Sequence, residues 1–169
     1  MSKIKSIREI GKITDNLRKQ GKKIVTCNGC FDILHRGHIK FLKEAKKQGD
    51  ILIVGLNSDK SVKQNKGPKR PINKEKDRAI VLSALEMVDY VVIFNEKDPR
   101  KLLSVVKPDV HVNGEEYGKN CIEANTVKKY GGRIYIVKLK KGFSSSKIIE
   151  KIKKTCKVNL KSIHLLILI

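Results

Sequence analysis

Short apolar runs alternate with segments of helical periodicity along this chain, and this alternation restricts the fold more than any other feature. The apolar runs predict strands at residues 23–27, 51–56, 90–94, 110–112 and 133–138. Helices are predicted around them at residues 6–20, 39–48, 73–86, 98–107, 120–130 and 147–154. Strands that alternate with helices form parallel sheets, because each helix carries the chain back to the starting edge. We therefore predict an α/β fold with a parallel sheet of about five strands and helices on both faces.

Two stretches depart from this pattern. Residues 63–72 contain one glycine and two prolines without periodicity, which predicts a loop. Asn73 is expected to be the N-cap of the following helix, whose predicted apolar face includes Ile80, Val81, Ala84 and Leu85. Residues 156–169 form a C-terminal tail to which no role is assigned, so the predicted domain comprises residues 1–155.

The composition is that of one soluble domain. A chain of 169 residues is long enough for a single core, and no apolar run before the C-terminus approaches the roughly 20 residues that span a bilayer. The first residues lack the apolar segment of a signal peptide, and the four cysteines form no dense framework. We therefore expect a cytoplasmic protein without a membrane partner.

The net charge of +21 does not by itself indicate nucleic-acid binding. Most basic residues are lysines scattered through every segment, and no block of five or six consecutive basic residues occurs. Solvated surface lysines are the favoured interpretation, and a field that attracts anionic substrates is the second. No nucleic-acid partner is predicted.

A turn rich in glycine and histidine follows the first predicted strand, at residues 28–38. A strand that passes through glycines into a helix N-terminus binds anions, because free backbone N–H groups and the helix dipole both face the turn. His35 and His38 add side-chain donors beside it. This combination favours a phosphate chain as the ligand.

Polar residues also follow other predicted strands. Asn113 and Gly114 end the fourth strand, and Gly142 with Ser144, Ser145 and Ser146 follows the fifth. A serine cluster at a helix start is, taken alone, typical of N-capping. Because ligands of parallel sheets bind at the carboxyl ends of the strands, the serines together with the two-histidine turn favour a phosphate site.

Other site types have weaker support. Cys27, Cys30, His35 and His38 are four potential zinc ligands, but the Cys-x-x-Cys pair has no matching second pair. A thioredoxin-like redox pair is equally disfavoured. The chain contains neither a Walker A sequence nor G-x-G-x-x-G, so P-loop and dinucleotide sites lack support. No protein metal site is predicted.

Two motifs resemble those at the two ends of cytidylyltransferase-like nucleotidyltransferases. They are the turn at residues 29–38, Gly-Cys-Phe-Asp-x-x-His-Arg-Gly-His, and the segment at 142–149, Gly-Phe-Ser-Ser-Ser-Lys-Ile-Ile. Within that superfamily, residues 70–73, 77–78 and 81–92 are most similar to heptose 1-phosphate adenylyltransferases. The resemblance covers about residues 5–153. It implies a Rossmann-like fold and transfer of a nucleoside monophosphate to a phosphorylated acceptor, with release of pyrophosphate.

The resemblance also implies substrates and site residues. It predicts ATP, accompanied by Mg²⁺, and a sugar 1-phosphate as substrates, and a homodimer as the assembly. The implied catalytic residues are His35, His38, Lys46 and Arg78. The implied nucleotide-contacting residues are Asn28, Gly29, Cys30, Phe31, Gly37, Asn113, Gly114, Ser144, Ser145 and Ser146.

A second subfamily, the glycerol-3-phosphate cytidylyltransferases, is the alternative. Those enzymes usually have an arginine where this chain has Leu139, and they usually lack the loop at residues 66–71; both differences favour ATP over CTP. Lys140, Lys141 and the segment 113–117 depart from the heptose enzymes, so the exact nucleotide and acceptor stay open. A nucleic-acid-binding protein on a degenerate fold is a remote alternative, which the intact histidine pair disfavours.

Overall fold

The computed structural model describes residues 2–138 and 144–155, and within them the chain forms one six-stranded parallel sheet with helices on both faces. The strands are β1 Ile4–Lys5, β2 Ile24–Gly29, β3 Ile51–Asn57, β4 Tyr90–Phe94, β5 Val110–Gly114 and β6 Arg133–Val137. The helices are α1 Ile7–Lys19, α2 Arg36–Lys46, α3 Asp59–Lys66, α4 Glu75–Ser83, α5 Arg100–Val106, α6 Ala124–Lys129 and α7 Ser145–Thr155. A 3-10 turn spans Glu115–Tyr117.

The strand order is β1-β4-β3-β2-β5-β6, so the direction of winding reverses between β2 and β5. These two strands pair in parallel, with Val25 opposite Val110 and Cys27 opposite Val112. Loops that leave neighbouring strands in opposite directions open a crevice at the carboxyl ends, where ligands of such sheets bind. The turns after β2 and β5 therefore border the same crevice.

Alternation along the strands separates two cores. On β3, Leu52 and Val54 pack in a cluster that contains residues of α2 and α4. Ile53, between them, packs with Ile10 of α1 and Leu102 of α5. Successive strand residues point to opposite faces, so the continuous apolar sequence of β3 fits a strand that is covered on both sides. The predicted α/β fold is confirmed.

The sheet has one strand more than predicted. β1 comprises Ile4 and Lys5 and pairs with Val91 and Val92 of β4. Two residues are too few to show alternation, so no sequence pattern marks them. The described residues also include no helix with the length and apolarity needed to cross a bilayer. The predicted tail, Cys156 and Gly142 lie outside the described residues.

Helix boundaries correct three further predictions. The predicted loop 63–72 begins only after Lys66, because α3 extends to that residue. The N-cap of α3 is Ser58, whose hydroxyl accepts a hydrogen bond from the Ser61 N–H. α2 begins at Arg36 instead of residue 39, which places His38 in the first helical turn. α7 begins at Ser145, two residues before the predicted start.

The predictions for α4 were wrong in two respects. Its N-cap position is occupied by Lys74, while the Asn73 side chain donates a hydrogen bond to the carbonyl oxygen of Asp32 at 2.6 Å. Ile80 and Val81 are exposed, whereas Leu85 packs against the core as predicted, and the helix also buries Arg78. The sequence pattern does not identify the inner face of α4, because arginine is counted as polar and is therefore assigned to the exposed face.

The orientation of α4 predicts a large loss of stability for one truncation and a small change for another. Leu82→Ala is expected to lower the free energy of unfolding by about 2–5 kcal/mol, since Leu82 is fully buried. Ile80→Ala, on the outer face, is expected to change it by less than about 0.5 kcal/mol. Urea denaturation measures both; a larger loss for Ile80→Ala would contradict this orientation of the helix.

Candidate active site

A cavity of about 270 Å³ lies at the carboxyl ends of β2 and β5. Its walls come from the turn after β2, the first turn of α2, the end of α3, the turn after β5 and the start of α7. Most of the sequence-predicted site residues line it, namely Asn28, Gly29, Cys30, Phe31, His35, Gly37, His38, Asn113, Gly114, Ser144, Ser145 and Ser146. Lys46 and Arg78 do not line it.

The turn after β2 is strained and tightly packed. Phe31 has φ 43°, a left-handed conformation that is unfavourable for a residue with a large side chain. Its ring lies so close to Gly29 that a Cβ there would be 3.0 Å from the ring. The ring also packs against His38, with 5.2 Å between centroids. A side chain at position 29 would press on the Phe31 ring, and the packing of that ring orients His38.

The two histidines form a stacked pair beside the cavity. Their ring centroids are 3.8 Å apart, with 21° between the planes. The Nδ1 atoms of both are buried and have no hydrogen-bond partner among the described residues. An N–H on Nε2 avoids a buried unpaired donor, so this tautomer is favoured and leaves one donor per ring for a ligand.

Burial keeps both rings neutral. The pKa of His35 is lowered by burial, and that of His38 falls to about 4 through burial, the neighbouring His35 and the Lys66 ammonium. Both imidazoles are therefore uncharged near pH 7. Neutral rings donate hydrogen bonds to phosphate oxygens, and a phosphate chain beside them would make protonation easier.

Asp32 stabilises the turn between β2 and α2. Its buried carboxylate accepts hydrogen bonds from the Arg70 guanidinium at 2.7 Å and from the backbone N–H groups of Ile72 and Asn73 at 2.9 Å. Burial alone would raise the pKa of Asp32, but these N–H groups and the Arg70 charge lower it. The carboxylate is thus ionised and fully engaged, and it ties the β2–α2 turn to the segment before α4.

Lys66 is a cavity residue to which the sequence analysis assigned no role. It is the last residue of α3, and its charge lowers the pKa values of His38 and Cys30. Burial outweighs this effect on Cys30 and raises the pKa of the thiol, so Cys30 is not a thiolate nucleophile. Lys66 was missed because its segment was predicted to be a loop.

The structure disagrees with the prediction that Lys46 reaches the phosphate region. Its ammonium pairs with the Asp89 carboxylate and donates to the carbonyl oxygen of Asp50. Asp89 directly precedes β4 and Asp50 directly precedes β3, so both residues lie at the amino edge of the sheet. α2 begins at the cavity, and ten residues of helix, at 1.5 Å each, carry Lys46 roughly 15 Å away from it.

Arg78 also differs from its predicted role. Its buried guanidinium donates to the carbonyl oxygens of Asn73 at 3.0 Å, Cys30 at 2.6 Å and Asn57 at 2.8 Å, and to the Asp59 carboxylate at 2.8 Å. These contacts join the ends of β2 and β3 to the start of α4. Arg78 therefore supports the cavity wall through the Cys30 backbone and does not itself border the cavity.

The serines combine structural contacts with a position on the cavity wall. The Ser144 hydroxyl accepts a hydrogen bond from the Lys147 N–H at 3.2 Å and so caps α7. The Ser145 hydroxyl donates to the Ile33 carbonyl oxygen at 3.1 Å, which fastens α7 to the β2–α2 turn. The capping interpretation is thus correct, and the start of α7 also faces the cavity.

The cavity has few groups that suit a metal ion. Among the described residues, no three histidine, cysteine, aspartate or glutamate side chains converge on one point. Of the two carboxylates in the cavity wall, Asp32 is engaged by Arg70, which leaves Glu116. Cys27 is buried in the core, and burial raises the pKa of its thiol, which does not fit a zinc ligand.

Comparisons with known proteins agree with this geometry. The sequence profile of the family described as Cytidylyltransferase-like matches residues 26–153. "Bifunctional protein HldE" of a Nitratiruptor species is 48% identical over 151 residues, which are 89% of this chain and 32% of that protein. The protein of the same name from Helicobacter pylori (strain Shi470) is 50% identical, with the same coverage. The chain thus spans about a third of the length of these curated relatives.

Two solved structures are also similar. One is the lipopolysaccharide core biosynthesis protein from Thermoplasma volcanium GSS1, with a TM-score of 0.59, 39% identity, and coverage of 73% of this chain and 100% of that one. The other is pantoate-beta-alanine ligase from Francisella tularensis, with a TM-score of 0.60, 21% identity, and coverage of 91% of this chain and 78% of that one. The second likeness concerns the fold alone.

The two lysines provide a matched pair of variants. Lys66→Met is expected to weaken binding of inorganic triphosphate about tenfold or more, since a hydrogen bond to a charged group contributes about 1.5–3 kcal/mol. Lys46→Met should bind triphosphate like the wild type and lose up to about 1 kcal/mol of stability. Titration calorimetry at low salt measures the affinities. Equal weakening in both variants would contradict the assignment of Lys66 to the cavity.

Proposed function

The chain belongs to the cytidylyltransferase-like family and is a nucleotidyltransferase, and from that premise we propose that it transfers AMP from ATP to a sugar 1-phosphate. The proposed acceptor is heptose 1-phosphate, and the products are an ADP-sugar and pyrophosphate. Three findings support this choice: the resemblance at residues 70–92, the identity to proteins named HldE, and the likeness to a lipopolysaccharide core biosynthesis protein.

One observation carries the proposal, namely the stacked and neutral histidine pair on a cavity wall that also contains Lys66 and the start of α7. Imidazole N–H groups, an ammonium group and a helix N-terminus are all donors to phosphate oxygens. They surround one cavity at the reversal in strand order, where such sheets bind ligands.

The proposed reaction needs no general base. An oxygen of the acceptor phosphate is already an anion and attacks the α-phosphorus of ATP. The new phosphorus–oxygen bond forms as the bond to the β-phosphate oxygen breaks, and pyrophosphate leaves with that electron pair. Catalysis then consists of alignment and of stabilisation of the charge that develops on the phosphates.

The cavity residues divide this work. His35 and His38 donate to phosphate oxygens at the reacting centre, and Lys66 together with the N–H groups of α7 holds the departing pyrophosphate. ATP would bind as its Mg²⁺ complex, and among the described residues Glu116 would be the cavity carboxylate available to the ion, because Asp32 is engaged by Arg70. Packing of the Phe31 ring on His38, and stacking of His38 on His35, orient the histidines before the substrate binds.

A pyrophosphate-release assay tests the function. ATP and CTP are each combined with a panel of sugar and alcohol phosphates, and ATP with heptose 1-phosphate is expected to give the highest kcat/KM. His38→Ala should lower turnover by roughly 10²- to 10³-fold with a smaller change in ATP affinity. Equal or better kcat/KM with CTP would favour a glycerol-3-phosphate cytidylyltransferase. Near-normal turnover of a folded His38→Ala variant would remove His38 from the mechanism.

The pKa of His38 predicts a pH dependence of binding. Without ligand that pKa is about 4, and the negative charge of a bound triphosphate should raise it. The complex then holds more protons than the free protein, so affinity for a non-hydrolysable ATP analogue should increase as the pH falls from about 7 to 5. The buried His111, outside the cavity wall, should keep its pKa of about 4. Histidine NMR titrations with and without the analogue measure both values.

The same pKa gives the sign of a stability effect. The unfolded chain binds a proton at histidine near pH 6.5 and the folded chain only near pH 4, so the free protein should lose stability as the pH falls between these values.

A His38 pKa that does not move on binding of the ATP analogue would contradict contact between the ring and phosphate.

A further inference from the structure

The turn after β5 brings a carboxylate and an aromatic ring to the wall of the cavity. Glu116 and Tyr117 belong to the 3-10 turn Glu115–Tyr117 and both line the cavity, whereas Glu115 of the same turn does not. Gly118 follows the turn with φ 66°, in the left-handed region that favours glycine. The turn thus presents one acidic and one aromatic side chain, side by side, to whatever occupies the cavity.

The Glu116 carboxylate is available to a ligand. A Cβ at position 114 would collide with this carboxylate, so it lies directly against the Gly114 backbone at the end of β5. Glu116 forms no hydrogen bond or ion pair with any residue that the structure describes, while Asp32, the other carboxylate in the wall, is engaged by Arg70. The oxygens of Glu116 can therefore accept hydrogen bonds from a substrate.

The charge of Glu116 restricts which part of a substrate can lie beside it. A carboxylate only accepts hydrogen bonds, and it repels the negative oxygens of a phosphate chain. The phosphate donors of the cavity come from other elements, namely the first turn of α2, the end of α3 and the start of α7. An uncharged part of the substrate that carries hydroxyl groups supplies the donors that Glu116 accepts, and the sugars of both proposed substrates carry them.

Tyr117 adds an apolar surface beside the carboxylate. Tyr117 is 63% exposed although it lines the cavity, so much of its ring is open to a ligand. Partial burial and the nearby charge of Glu116 raise the pKa of the Tyr117 hydroxyl, which is thus neutral near pH 7. A sugar presents C–H groups on its ring face and hydroxyls at its edge, so an aromatic ring beside a carboxylate matches both.

We propose that Glu116 and Tyr117 form a sugar subsite, in which the carboxylate accepts hydrogen bonds from vicinal hydroxyls and the tyrosine ring packs against the sugar. Two sugars of the proposed reaction have this chemistry, the ribose of the nucleotide and the acceptor sugar. The subsite selects substrates by their hydroxyls, while His35, His38 and Lys66 contact the phosphates. This inference rests on the proposed function.

Two substitutions on the same turn test the subsite. Glu116→Gln is expected to raise the KM for the substrate whose sugar it contacts at least about tenfold, because hydrogen bonds to a charged group are lost. Glu115→Gln removes the same charge outside the cavity wall and should leave both KM values within about twofold, since exposed charges are screened by salt. The pyrophosphate-release assay with ATP and heptose 1-phosphate measures both KM values.

The aromatic ring has its own pair of variants. Tyr117→Ala should raise the same KM as Glu116→Gln, by roughly two- to tenfold, because the packing surface is removed. Tyr117→Phe keeps that surface and should stay closer to the wild type. Melting temperatures confirm that each variant is folded, and an effect on the other substrate's KM alone would contradict a shared subsite.

Deoxynucleotides identify which sugar is bound. If the subsite binds ribose, wild-type protein should bind 2′-deoxy-ATP or 3′-deoxy-ATP about tenfold more weakly than ATP, and Glu116→Gln should bind ATP and that analogue alike. If the subsite binds the acceptor, wild-type protein binds these analogues like ATP, and Glu116→Gln raises the KM for heptose 1-phosphate instead. Titration calorimetry measures the affinities.

Other outcomes would overturn the inference. Unchanged KM values in folded Glu116→Gln would remove the contact, and equal increases in Glu115→Gln would show a general effect of charge. A loss in Glu116→Gln that excess Mg²⁺ restores would assign the carboxylate to the ion instead of a sugar. Failure of the proposed function is recognised separately, because wild-type protein would then release no pyrophosphate with any pair in the panel, and the inference would fall with it.

Discussion

Two buried charged side chains hold the turn between β2 and α2, and the cavity depends on both. Asp32 ties the turn to Arg70 and to the backbone N–H groups of Ile72 and Asn73, and Arg78 donates to the Cys30 carbonyl oxygen within the same turn. Buried charges are tolerated only when paired and hydrogen-bonded, and removal of one partner typically costs about 3–5 kcal/mol. The pairs therefore fix one conformation of a turn that contains a strained residue, Phe31.

That conformation gives the cavity the donors that the proposed function requires for phosphates. The Phe31 ring packs on His38, the histidine rings stack, and burial keeps them neutral near pH 7. Ser145 joins α7 to the same turn through the Ile33 carbonyl oxygen. Donors from distant parts of the chain are thus preorganised around one cavity, and preorganised donors stabilise developing charge without a cost of reorganisation during the reaction.

Local spacing predicted which residues of the β2–α2 unit line the cavity, whereas the positions of Lys46 and Arg78 depend on long-range packing. Residues 28–38 form one strand-turn-helix unit, so their placement beside the cavity followed from order along the chain. Lys46 was assigned by its position after His38, yet the helix carries it to the opposite edge of the sheet. Arg78 was assigned to phosphates, but the ends of two strands occupy its donors. No pattern along the chain marks either outcome.

The sequence by itself determined the α/β fold, the parallel sheet and the location of the histidine turn and the serines at strand ends. Periodicity and glycine placement are local properties, and the backbone responds to them locally. Only the tertiary structure decided that Lys66 lines the cavity and that Asp32 is engaged by Arg70. Those relations join residues from different elements, and they are settled by which buried donors and acceptors meet once the strands have paired.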